Sequence, residues 1–258
     1  MIAFVSHHKL LMIISISVAI LVSFILIEYL VIKYGGKPVD APVIPRTTQS
    51  MGTGKSLNYV VMGDSTSIGQ GSDYASSIGE ATAHKLAASY RVNYTNVGIS
   101  GATTRDVADI QLSKAVAYKP DVVLIAVGAN DATHFTSAKD IQTHLAKIIS
   151  GLIQANCNVK IVLTESPEMG SVPRFPWPAD RIMSLRTNQV NSAMDTVLQA
   201  KHLTLAPIAK KTGPVFAAHP EYFAQDKFHP TAQGYSIWIP ILNEAIQNAL
   251  VTQQTHCM

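Results

Sequence analysis

Four short groups of residues could do chemistry together in this 258-residue chain. In order they are Gly63-Asp64-Ser65, Asn96-Val97-Gly98-Ile99-Ser100-Gly101, Gly128-Ala129-Asn130-Asp131 and Asp226-Lys227-Phe228-His229-Pro230. Ser65 offers a hydroxyl nucleophile. His229 offers a base, with the Asp226 carboxylate three residues before it to hold the imidazole in one tautomer. Gly101 lets a backbone N–H come close to a substrate, and Asn130 adds a side-chain amide donor. Nucleophile, base, orienting acid and oxyanion donors together describe acyl transfer.

Each group has a plainer explanation when taken alone. Ser65 follows a strand-like run and could cap the next helix, as could Thr66 and Ser67. The segment is not a GxSxG elbow, because Ser67 stands where the second glycine would be. As a phosphate loop it lacks the Walker lysine. Gly98 and Gly101 suit an ordinary turn, Asn130 and Asp131 a turn or cap, and His229 a surface loop before the last helix. His134 lies close to Asn130 and reads more readily as structural than as part of the pocket.

Elements able to position these residues alternate along the chain. Apolar, β-branched runs at 57–62, 91–97, 121–127 and 159–164 read as strands, and 203–206 as a weaker fifth. Helical patterns follow at 77–89, 104–117, 138–155, 179–200 and 231–251. This alternation predicts an α/β fold with a central parallel sheet covered on both faces. Ligands bind such sheets at the carboxyl ends of the strands. Ser65, Gly101 and Asn130 each fall just past a strand, and His229 just before the final helix. After the fourth strand, 165–178 reads as a long loop at the same edge. Its Phe175 and Trp177 could contact an acyl or sugar group or simply pack the loop.

Together the four blocks resemble the SGNH/GDSL hydrolase family across about residues 57–251. The resemblance implies a three-layer α/β/α flavodoxin-like domain and ester hydrolysis without a cofactor or metal. It implies Ser65 as nucleophile, His229 and Asp226 as the remaining catalytic residues, and an oxyanion hole from Ser65, Gly101 and Asn130. Thr66 departs from the Leu or Ile common after Gly-Asp-Ser, at a position without a catalytic role. The expected substrate is a small-molecule, lipid or glycan ester. An acyltransferase using the same serine, or a non-catalytic glycan- or lipid-binding domain on the same fold, are the alternatives.

Ahead of the domain, residues 10–32 are apolar on every face, with Glu28 the one formal charge. About 23 residues at ~1.5 Å each span ~34 Å, enough to cross a bilayer. The chain therefore divides into a flank at 1–9, a transmembrane anchor or uncleaved signal at 10–33, a flexible linker at 34–56, the domain at 57–251 and a tail at 252–258. The linker, rich in Gly, Pro, Ser and Thr, is expected to hold the domain off the membrane. Lys33, Lys37 and Arg46 after the span, against Lys9 before it, lean the domain toward the cytoplasm. Large domains translocate regardless of such charges, so a membrane-anchored, extracytoplasmic domain is expected. A net charge of +3 with no basic stripe gives no sign of a nucleic-acid partner. Cys157 and Cys257 have no metal-ligand spacing; two unpaired thiols are the expected reading, with a single disulfide the alternative in an oxidising compartment.

Overall fold

The computed structural model describes residues 2–201, 203–252 and 257, with the side chains of residues 2–8 left out. His202, His256 and most of the expected tail lie outside the described residues. Six strands form one sheet: β1 Gln49–Met51, β2 Ser56–Gly63, β3 Arg91–Asn96, β4 Val122–Ala126, β5 Lys160–Thr164 and β6 Thr204–Ala206. Their order is β1-β3-β2-β4-β5-β6. The five expected strands pair in parallel. β1 pairs antiparallel with β3, so the sheet is mixed rather than wholly parallel. β1 is three residues of the expected linker, too short and too polar to read as a strand.

The helices are α1 Ile2–Tyr34, α2 Ile78–Leu86, α3 Thr104–Asp106, α4 Leu112–Ala117, α5 Ala129–Thr133, α6 Ala138–Ala155, α7 Ala179–Lys201, α8 Ile208–Ala218 and α9 Ala232–Thr252. A wider π turn at Val107–Gln111 joins α3 to α4. Strand side chains alternate between two cores, as a period of two requires. Val60 and Met62 of β2 and Val123 and Ile125 of β4 pack with α6 and α7 residues such as Ile148 and Met194. Tyr59 and Val61, with Val122 and Leu124, pack with α2, α8 and α9 residues such as Leu86, Phe216 and Trp238. The result is a three-layer α/β/α arrangement.

After β2 the chain adds β3 on one side, then crosses to place β4 on the other. The carboxyl ends of β2 and β4 thus flank the switch point, where such sheets hold ligands. There the two strands come very close. A Cβ on Gly63, whose φ is +143°, would stand 1.9 Å from the Ala126 carbonyl oxygen.

Lys9–Tyr34 within α1 is long and apolar enough to serve as a membrane anchor or a signal sequence, with a mean hydropathy of 3.0. The segment after it is tied down. Lys37 N–H donates to Gln225 O at 3.0 Å, and Gln70 Nε2 donates to Val39 O at 2.9 Å. The expected spacer therefore runs along the domain at these points. Cys157 and Cys257 are joined in a disulfide with Cα atoms 4.9 Å apart, correcting the expectation of two free thiols. Sequence spacing says nothing about which loops meet, and 100 residues separate the pair.

Gly63→Ala should cost about 3 kcal/mol, because both the positive φ and the strand contact oppose a side chain. A thermal melt should show Tm lowered by about 6–12 °C. An unchanged Tm would mean the two strands separate at no cost.

Candidate active site

Ser65 sits just past β2, in a turn closed by Gln70 N–H donating to Ser65 O at 3.0 Å. Gln111, wholly buried on the π turn, grips the strand end from behind. Its Oε1 accepts from Gly63 N–H and its Nε2 donates to Gly63 O, both at 2.8 Å. Two such bonds contribute about 1 kcal/mol each, and losing the side chain would leave both buried backbone groups unpaired.

The Ser65 Oγ lies 2.9 Å from His229 Nε2. His229 Nδ1 lies 2.6 Å from Asp226 Oδ2. The other carboxylate oxygen, Oδ1, accepts from the backbone N–H groups of Phe228 and His229, both at 3.0 Å. One carboxylate thus folds its own loop and orients the ring, which is why the spacing of three matters. Lys227 takes a φ of 57° to complete the turn. Burial opposes ionisation of Asp226, but the imidazole and the two N–H groups outweigh it and hold its carboxyl below the ordinary value.

Asn130 reaches the loop that carries Gly101. Gly101 has a φ of +79° with open space where a Cβ would be. Asn130 Nδ2 donates to Ala102 O at 3.0 Å, leaving its second hydrogen for a ligand. Among the described residues, the N–H groups of Ser65 and Gly101 have no protein acceptor. Asp131, wholly buried, locks the two loops together. It accepts from Thr104 N–H at 2.9 Å and from Thr104 Oγ1 at 2.7 Å. In the sequence Asp131 reads as a turn or cap residue closing the third block, and nothing marks Gln111. A buried polar residue tied to a distant backbone leaves no local pattern to find.

All five residues expected at the site are thus brought to one edge of the sheet. Two spaces open there. A slot of about 30 Å³ is lined by Ser65, His229, Met169, Val172, Phe216 and Trp238. A groove of about 570 Å³ is lined by Asn130, His134, Phe135, Phe175, Ile182 and Phe228, with Ile32 of α1. Phe228 borders both, standing edge-on to His229 and Phe175 at 5.0 and 6.1 Å between ring centres. Phe175 is therefore a groove wall, while Trp177 is exposed and meets Phe24 of α1 instead. His134 donates from Nδ1 to Asn130 O at 2.8 Å and lines the groove.

The α/β/α sheet thus brings a carboxylate, an imidazole and a serine into line at one strand edge. The model of the GDSL-like lipase/acylhydrolase family matches residues 61–237, and the chain belongs to that family. A GDSL-like esterase of Mycobacterium tuberculosis is 27% identical over 199 residues, covering 75% of this chain. The chain spans 63% of that relative's length. Among solved structures, a lipase/acylhydrolase from Enterococcus faecalis is similar with a TM-score of 0.56 at 22% identity, over 77% of this chain and all of that one. A lipolytic protein of the G-D-S-L family from Veillonella parvula has a TM-score of 0.59 at 15% identity, over 74% and 98% of the two chains. At these identities the structural likeness is one of fold.

Asp64, beside the nucleophile, is fully buried. Burial raises its carboxyl to about 6, although Thr66 donates to it through both N–H and hydroxyl. The folded state therefore binds more protons than the unfolded chain between about 3.8 and about 6, and stability on this account falls as pH rises through that window. Asp64→Asn keeps the same acceptor for Thr66. It should raise Tm at pH 7, with the gain shrinking as pH falls from about 6 toward 3.8. A gain that is constant with pH would show that the Asp64 carboxyl is not the cause.

Proposed function

We propose that the protein hydrolyses carboxylic esters through an acyl-enzyme on Ser65. The observation that carries this reading is the unbroken line from Asp226 Oδ2 through the His229 ring to Ser65 Oγ. With Nδ1–H donated to Asp226, Nε2 is free to take the Ser65 proton as Oγ attacks the ester carbonyl. The carbonyl oxygen gains charge and accepts from the N–H groups of Ser65 and Gly101 and from Asn130 Nδ2. The C–O bond to the alcohol breaks, and the alcohol leaves with the proton from His229. Water then gives its proton to His229 and attacks the acyl carbon, releasing the acid and restoring Ser65.

The membrane anchor and extracytoplasmic placement form part of the same proposal. The length and apolarity of α1 support the anchor, and the Cys157–Cys257 disulfide supports an oxidising compartment. The domain then runs from β1 rather than from residue 57, with 34–48 as a segment partly fixed to it.

A fluorophosphonate probe on the full chain should leave its adduct on Ser65, located by peptide mass spectrometry. Asp226→Asn should lower kcat by about 10⁴-fold through the wrong imidazole tautomer. Asn130→Ala should lower it by about 10²–10³-fold. Full turnover by Ser65→Ala, or an adduct elsewhere, would overturn the mechanism.

A further inference from the structure

Arg174 joins the end of α1 to the loop that carries Asp226. Its Nε donates to Ile32 O at 2.7 Å and its Nη2 to Lys33 O at 3.0 Å. Those are carbonyls of the last helical turn, which lack partners within the helix and attract a cation. The third nitrogen, Nη1, donates to Asp226 O at 3.2 Å. The helix end is thereby held beside the catalytic loop.

The helix also lies against the domain along one face. Glu28, Ile32 and Gly35 are half-buried, and Phe24, one turn earlier, touches the Trp177 ring at 6.3 Å between centres. These positions recur every three or four residues, the spacing of a single helix face. From Ile32 to Phe24 the axis rises about 12 Å. Trp177 therefore lies about that much farther along the helix than the Arg174 clamp. If α1 sits in a bilayer, the 173–185 segment reaches into the leaflet beside it.

The side chains there suit that surrounding. Phe135, Trp177, Ile182 and Leu185 are all exposed, at 58%, 69%, 48% and 63%. Phe135 and Ile182 line the groove that begins at Asn130, and Ile32 of α1 closes one side of it. An exposed apolar rim around a site marks a docking surface, and tryptophan favours the membrane interface. Continuity with α1 identifies what covers this rim. We propose that it docks into the lipid leaflet holding α1, so that the groove takes its ester from an amphiphile already in the bilayer. The substrate class is then a membrane-resident acyl ester. This inference rests on the esterase reading and on the anchor proposed above.

The test uses the full chain in phosphatidylcholine vesicles, with and without bromine on the acyl chains. Subtracting the spectrum of Trp177→Phe isolates the Trp177 signal from that of buried Trp238. Bromolipid should quench most of the Trp177 emission, and Trp177 emission equal in both vesicles would overturn the docking. Quenching needs no turnover, so it decides the docking whether or not Ser65 accepts the fluorophosphonate. Leu185→Glu, outside the groove, should lower turnover of a long-chain fluorogenic ester in the vesicles by about tenfold. Turnover of a water-soluble acetyl ester should not change. An equal loss on both esters, or on neither, would contradict delivery from the bilayer.

Discussion

The Asp226 carboxylate is divided between two tasks, and the rest of the site depends on that division. One oxygen accepts from two backbone N–H groups and fixes the turn of its own loop. The other holds the His229 ring so that Nε2 meets Ser65. Neither task can move without the other. The same loop is held from outside by Arg174 through the Asp226 carbonyl, by Arg174 N–H donating to Lys227 O and by Lys37 N–H donating to Gln225 O. Opposite it, Gln111 holds the strand end at Gly63 and Asp131 holds the loop after Gly101. The positions of Ser65, His229 and Asp226 are thus set by polar contacts, on a sheet edge packed between the two apolar cores.

Much of this was legible in the sequence because it is local. A carboxylate three residues before a histidine folds its own turn. The run 122–127 is apolar throughout because β4 is covered on both faces. The features that were not legible depend on distant partners. β1 is polar and gains its strand character only from pairing with β3. α8 carries Gly213 and Pro214 inside it and breaks the expected pattern, yet packs Phe216 against Trp238. Gln111 shows no motif, and the tie from Asp131 to Thr104 leaves no local mark even within the third block, since each acts on backbone far away in the chain. The disulfide was equally invisible, because only the fold brings the tail to the loop before β5.

Residues 32–39 change how the two ends of the molecule relate. The composition of 34–56 suggested a flexible spacer between membrane and domain. Instead the chain leaves α1 directly onto the loop of Asp226, with Ile32 in the groove wall and Val39 held by Gln70. The distance between α1 and the Asp226–His229–Ser65 line is therefore short and defined. Gln70 also accepts from Ser100 in the loop of Gly101 and takes the Tyr235 hydroxyl on its carbonyl, so the segment reaches both halves of the site.

The most direct measurement is a crystal structure of the full chain with a phosphonate bound to Ser65. The account predicts the phosphonyl oxygen within hydrogen-bonding distance of Ser65 N, Gly101 N and Asn130 Nδ2, with His229 still paired to Asp226. An oxygen turned to solvent, with those three donors unengaged, would contradict the proposed oxyanion site and the mechanism built on it.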